Sequence, residues 1–242
     1  MSERSLGLKS NTNQQIQRWP TPQSKSWTLN FLDSAKQDEN IVAVVAVGST
    51  VQPAVSSLDL DLVVICLDPA RLKDKPPIEI DLRAYAAEQV DELVGGGNDL
   101  LGWAVKFGRL LFQRDRFWDN LLESWHDREP LPSADVASRR ADDAFRRLSN
   151  VFELGDYDAA WEQALSYLTH LCRAELIKRQ VYPASRPELP RQLRAAGCPR
   201  LAIWLERFLD STAANSEEIA HLLKSRSLKT GCTRRRPHGT PK

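Results

Sequence analysis

Methionine, cysteine and net charge are all scarce in this chain: one Met, four Cys and a formal charge of +1 over 242 residues. The cysteines, Cys66, Cys172, Cys198 and Cys232, are widely spaced and form no C-x-x-C pair. Neither a zinc site nor a disulfide framework is indicated, and a reducing cytoplasm fits best. The near balance of charge argues against a broad surface for phosphate backbones, which makes nucleic acid a poor partner. Arg234-Arg235-Arg236 is basic but short and reads as a solvated tail. No apolar run approaches the ~18 residues of a membrane span, and the polar N-terminus lacks the apolar core of a signal peptide. The expectation is a cytoplasmic protein without membrane contact. No Walker A sequence occurs. Gly95-Gly96-Gly97 follows a helical pattern and lacks the G-x-G-x-x-G spacing, so it reads as a flexible stop and not as a dinucleotide fingerprint. Hydrophobic and charged shares of 42% and 27% are those of an ordinary globular chain, long enough for one large domain or two small ones.

Four parts are expected along the chain. Residues 1–25, rich in Ser, Asn, Gln and Arg with Pro20 and Pro22, read as a disordered lead-in. Residues 26–130 read as an α/β domain. Trp27, Phe31, Leu32 and Ala35 predict a helix over 26–36 that Ser24 or Ser26 can cap. Strands are predicted over 41–47, 58–67 and 78–84, helices over 86–94 and 99–107, a short strand over 109–113 and a helix marked by Phe117, Leu121, Leu122 and Trp125. Residues 131–224 carry helical periodicity alone, over 134–154, 156–181, 189–196, 201–209 and 216–223. Residues 225–242, with two prolines and the Arg cluster, read as a disordered basic tail.

Chemistry concentrates in the first three predicted strands. The run Ile41–Val47 breaks into a Gly48-Ser49 turn, and after nine intervening residues comes Asp59-Leu60-Asp61. Side chains alternate along a strand, so Asp59 and Asp61 share one face while the neighbouring leucines share the other. The leucine face is expected to be buried and the acids to meet solvent in a cleft. Asp81, in Ile80-Asp81-Leu82, adds a third carboxylate if its strand pairs beside them. Closely placed carboxylates suit Mg²⁺, which takes hard oxygen ligands and keeps waters and substrate phosphates in its shell. Three acids can hold two such ions and align a hydroxyl with a phosphorus. Gly48 lets the backbone approach a phosphate, and Ser49 adds a hydroxyl and an amide donor.

Gly48-Ser49, Asp59-Leu60-Asp61 and Ile80-Asp81-Leu82 together resemble the signature of the polymerase-β-like nucleotidyltransferase superfamily, and most closely its minimal bacterial members and the antibiotic adenylyltransferases. The signature spans roughly residues 40–85, and Gly102 to Asp115 resembles the helix–strand piece that often closes that domain. The resemblance implies a mixed-sheet nucleotidyltransferase domain followed by an all-helical bundle. It also implies transfer of a nucleoside monophosphate, with ATP the expected donor, to a hydroxyl acceptor, with pyrophosphate leaving. By analogy Gly48 and Ser49 hold the distal phosphates, Asp59 and Asp61 bridge two Mg²⁺ ions, and Asp81 binds the ion that carries the acceptor hydroxyl and helps remove its proton.

The chain departs from the pattern after Ser49, where Thr50-Val51-Gln52-Pro53-Ala54 offers none of the basic residues that many relatives place there. Arg83, on the face of Asp81, can supply charge instead, as can Lys106 or Arg109; each is otherwise an ordinary surface ion-pair residue. In the helical part, Glu162 and Glu175 are candidates for an acceptor-site base, and His170 lies on an apolar helix. That part resembles, loosely, the helical domains called HEPN-like, but none of His126, His170 and His221 follows an Arg at the distance that the ribonuclease version needs. The expected acceptor is a small molecule. A protein acceptor, as in AMP-transferring antitoxins, and a non-catalytic nucleotide-binding module remain alternatives, and homodimerisation stays open.

Overall fold

The computed structural model describes residues 16, 18–51, 59–125, 128, 130–211 and 215–225. The disorder expected for the first fifteen residues and for 226–242, and the run from Gln52 to Leu58, lie outside the described residues. The chain divides into two compact units, Met1–Pro130 and Leu131–Lys242. The first is a mixed sheet with helices and the second is all-helical, the fold class expected from the sequence.

Among the described residues, the first element of this unit is helix α1 (Pro22–Gln37), which starts inside the segment expected to be disordered. The correction has a local cause. Thr21 Oγ1 accepts from the Ser24 amide at 3.0 Å, and Ser24 Oγ accepts from the Thr21 amide at 3.0 Å. This reciprocal capping box, with Pro22 at the first helical position, fixes the start upstream of Ser26. Phe31, Leu32 and Ala35 form the buried stripe of α1, and Ile16 ahead of the helix joins the same core.

Among the described residues four strands follow: β1 (Ile41–Val47), β2 (Leu60–Cys66), β3 (Ile80–Ala86) and β4 (Arg109–Gln113). They lie in the order β3-β2-β1-β4, with β1 antiparallel to β2 and β4, and β2 parallel to β3. Every residue of β1 is buried, as an unbroken apolar run requires of a central strand. One face of the sheet, with Val44, Ala46, Leu60, Leu62 and Ile80, packs on α1. The other, with Val45, Val47, Val63 and Ile65, packs on helices α2 (Ala87–Gly95), α3 (Asp99–Phe107) and α4 (Phe117–Trp125) through Val90, Val94, Leu101, Ala104, Trp118 and Leu121. The expectation of one buried and one solvated face therefore fails beyond Asp61. The acids occupy the entrance of a strand that is buried on both sides further in.

Two joints hold this frame. Arg114, just past β4, donates from Nη2 to the carbonyls of Ala35 and Asp38, both at 3.3 Å, and so satisfies carbonyls at the C-terminal end of α1. Gln113 Oε1 accepts from the amides of Trp118 and Asp119 at 3.1 Å, capping α4 from the strand, while the chain between turns through positive φ at Asp115 and Arg116.

In the second unit, α5 (Ala134–Glu153) and α6 (Tyr157–Lys178) form an antiparallel hairpin, followed by α7 (Leu189–Ala195), α8 (Pro199–Asp210) and α9 (Ser216–Lys224). Ala144, Leu148, Leu168, Leu176, Leu205 and Leu222 share one core, with Trp161 stacked on Phe208 at 4.3 Å. No helix among the described residues is long and apolar enough to cross a membrane.

Candidate active site

Gly48 is the hinge of the site. It leaves β1 with φ +80°, a region open to glycine and strained for other residues, and the chain then winds through a 3-10 turn, Ser49–Val51. A Cβ on Gly48 would stand 2.4 Å from Asp61 Oδ2, so the bare backbone is what admits the carboxylate. Thr50 Oγ1 donates to the Val47 carbonyl at 3.3 Å and braces the turn. Ser49 is half-buried beside Gly48.

The pairing registers bring the acids to this turn. Asp61 sits opposite Val47 on one side and opposite Asp81 on the other. Because β2 and β3 are parallel, residues in register point the same way, so Asp61 and Asp81 share a face next to Gly48. Asp61 is half-buried; burial first, then the charges of Asp59 and Asp81, push its carboxyl up from 3.8 to about 6, while Arg83 pulls it down. Asp59, exposed just ahead of β2, thus lies within electrostatic reach of Asp61.

Asp81 is engaged differently. Arg83 donates to Asp81 Oδ2 from Nη2 at 2.9 Å and from Nε at 3.2 Å. Arg83 does supply positive charge near the acids, as the two-residue rule suggested, but it spends that charge on Asp81. Among the described residues, no group of three His, Cys, Asp or Glu side chains stands close enough together to hold a metal ion. Gly48, Asp61 and Asp81 are brought together; a closed triad with Asp59 is not.

The donor set nevertheless fits a hard divalent cation. Its oxygens are carboxylate, burial and then the charges of Asp59 and Asp81 make ionisation of Asp61 costly in a way a cation would relieve, and a glycine turn leaves the approach to Asp61 open. Asp59 and Asp61 would be the residues to hold such an ion, and Asp81 would join them only on release from Arg83.

One acid escaped sequence reasoning. Glu79 lies in Ile78-Glu79-Ile80, with the same apolar–acid–apolar form as the Asp81 motif, and that form was the available signal. Its carbonyl accepts from the Leu60 amide at 2.7 Å, which fixes it beside the entrance of β2, and its Oε2 is shielded from solvent with no hydrogen-bond partner. The remaining basic candidates are at β4 and α3. Arg109, opposite Ala46, stands at the Gly48 end of the sheet with β1 between it and β2, and Lys106 is exposed on the last turn of α3. In the second unit, Glu175 accepts from Arg179 Nε at 2.9 Å, and Arg179 reaches on to the Ala196 carbonyl at 3.1 Å. Glu175 therefore ties α6 to the loop after α7, which speaks against its service as an acceptor-site base. Glu162 is exposed on α6, and His170 is half-buried there.

No protein-family model matches this chain, and no curated protein matches it. Among solved structures it is similar to a nucleotidyltransferase-like protein from Exiguobacterium sibiricum 255-15. The two share 18% identity over 86% of this chain and 77% of the other, with a TM-score of 0.39. A likeness this distant says nothing of chemistry, which rests on the geometry around Gly48.

Proposed function

We propose that this chain is a magnesium-dependent nucleotidyltransferase that moves a nucleoside monophosphate, AMP from ATP in the first instance, to a hydroxyl of a small cytoplasmic molecule. The observation that carries this reading is the convergence of the Gly48 turn with Asp61 and Asp81 at one end of the sheet. Gly48 and Ser49 offer a close backbone approach and a hydroxyl to the distal phosphates. Asp59 and Asp61 would hold two Mg²⁺ ions, with Asp81 at the second. When bound, such a pair aligns the nucleophile and neutralises charge on the leaving oxygen. The chain's own residues orient the α-phosphorus toward the acceptor. The acceptor oxygen bonds to that phosphorus as the α–β bridging bond breaks, pyrophosphate departs, and the acceptor proton passes to Asp81.

Pyrophosphate release from each of the four NTPs, with Mg²⁺ and a panel of hydroxylated small molecules, tests this. Release that needs one NTP, one acceptor and intact Asp61 supports the reading. Nucleotide binding with no release under any acceptor favours the non-catalytic module, and release that needs a protein acceptor favours the antitoxin-like alternative.

A further inference from the structure

Arg83 is a surface cation fixed on Asp81, a carboxylate that shares its face of the sheet with Asp61. Its register partner Val63 lies buried on the face shared with Asp61, so from position 83 the arginine side chain shares that face and reaches back two residues along β3. Both nitrogens that touch Asp81 converge on a single oxygen, Oδ2, at 2.9 and 3.2 Å. The pair is open to water, with 62% of the Arg83 side chain and 48% of the Asp81 side chain exposed, so it is weak and readily exchanged. A guanidinium in this position neutralises the charge that would otherwise attract a divalent cation.

We infer that Arg83 is a resident stand-in for the second metal ion: it holds Asp81 until a divalent cation displaces it, and so lowers the affinity of the site for metal alone. This deepens the proposed function and rests on that reading of the site. Displacement frees a planar, two-pronged donor next to the acids, and a polyphosphate gives it a new partner of matching geometry. Metal arriving with a nucleotide thus meets less resistance than metal by itself.

The test is Mn²⁺ binding to the full chain without nucleotide, read from the paramagnetic resonance of the free ion. Arg83→Gln is expected to bind Mn²⁺ about fivefold tighter than the wild type, the upper range for an exposed ion pair. Arg83→Lys should fall between them, because an ammonium makes a point contact where the guanidinium makes two. In an Asp81→Asn background the Arg83→Gln gain should vanish. No gain from Arg83→Gln, or an equal gain without Asp81, overturns the inference. Equal Mn²⁺ binding by the wild type and Asp61→Asn overturns the site reading itself, so the two failures are told apart. Arg83 is exposed on an edge strand, and unchanged circular dichroism will show that its variants fold.

Discussion

Gly48 and Asp61 contest one volume: a Cβ on the glycine would lie 2.4 Å from the Asp61 Oδ2 atom. The atom in the way is the far end of a side chain and can swing aside, whereas the φ of +80° cannot be relaxed without moving the turn. Gly48→Ala is therefore expected to cost about 1–2 kcal/mol of stability from its backbone conformation, and to displace the Asp61 carboxylate. Nucleotide binding should fall by more than the stability loss accounts for. In an Asp61→Ala background the steric part of the penalty disappears, and the non-additivity measures it by chemical denaturation.

Asp61 also sets a pH dependence. Burial, then Asp59 and Asp81, raise its carboxyl from 3.8 to about 6, so the native state holds this proton more tightly than the unfolded chain does. Stability from this group is then full below about pH 4 and is lost as pH rises through about 6. Asp61→Asn removes the loss. Its melting temperature should exceed that of the ligand-free wild type at pH 7.5 and converge with it near pH 4. A variant that is less stable than wild type at pH 7.5 would show that the carboxylate serves the fold.

Arg114 predicts a structural effect away from the acids. Its guanidinium spans the carbonyls of Ala35 and Asp38, and Arg114→Ala leaves the Ala35 carbonyl to water or to no partner, while that of Asp38 keeps the Ile41 amide at 3.0 Å. The expected cost is about 1–2 kcal/mol in denaturant unfolding, with Arg114→Lys recovering only part of it.

Cys66 and Cys172 are fully buried, free thiols, and burial pushes the Cys66 thiol up to about 11 and raises Cys172 still further. Neither should react with an aromatic disulfide reagent at pH 8 until the chain unfolds. Rapid modification of either in the native protein, located by mass spectrometry, would contradict the burial of β2 or α6.

Much of this fold was legible in the sequence, for reasons that differ by element. β1, α3 and β4 fall where their patterns put them, because an apolar run between turn residues and an Asn98-capped helix leave little choice. α1 was read too short because Thr21-Pro22 sits in a polar, proline-bearing stretch, where composition hid a capping box. The second covered face of the sheet was missed for a different reason. Asp59 and Asp61 gave the entrance of β2 an alternating pattern, while the following Val63-Val64-Ile65 run carries the signal of a strand buried on both sides. Of the site, the sharing of a face by Asp61 and Asp81 followed from alternation once β2 and β3 paired. Arg83 on Asp81 was visible only as a shared face, since i and i+2 spacing brings two side chains together without saying which will bind. Glu79 carries the same local motif, but the shielding of its Oε2 depends on the fold around it and not on that pattern.

The most direct measurement of the central claim is thermal unfolding with each of the four NTPs, with and without Mg²⁺, on the wild type and on the Asp59→Asn/Asp61→Asn double variant. A ligand that binds only the native state stabilises it by mass action, by about 2.7 kcal/mol at a hundredfold excess over its Kd. The account predicts a Mg²⁺-dependent rise with at least one NTP in the wild type and none in the double variant. An unchanged melting temperature with all four NTPs, or a rise that survives loss of both carboxylates, would contradict it.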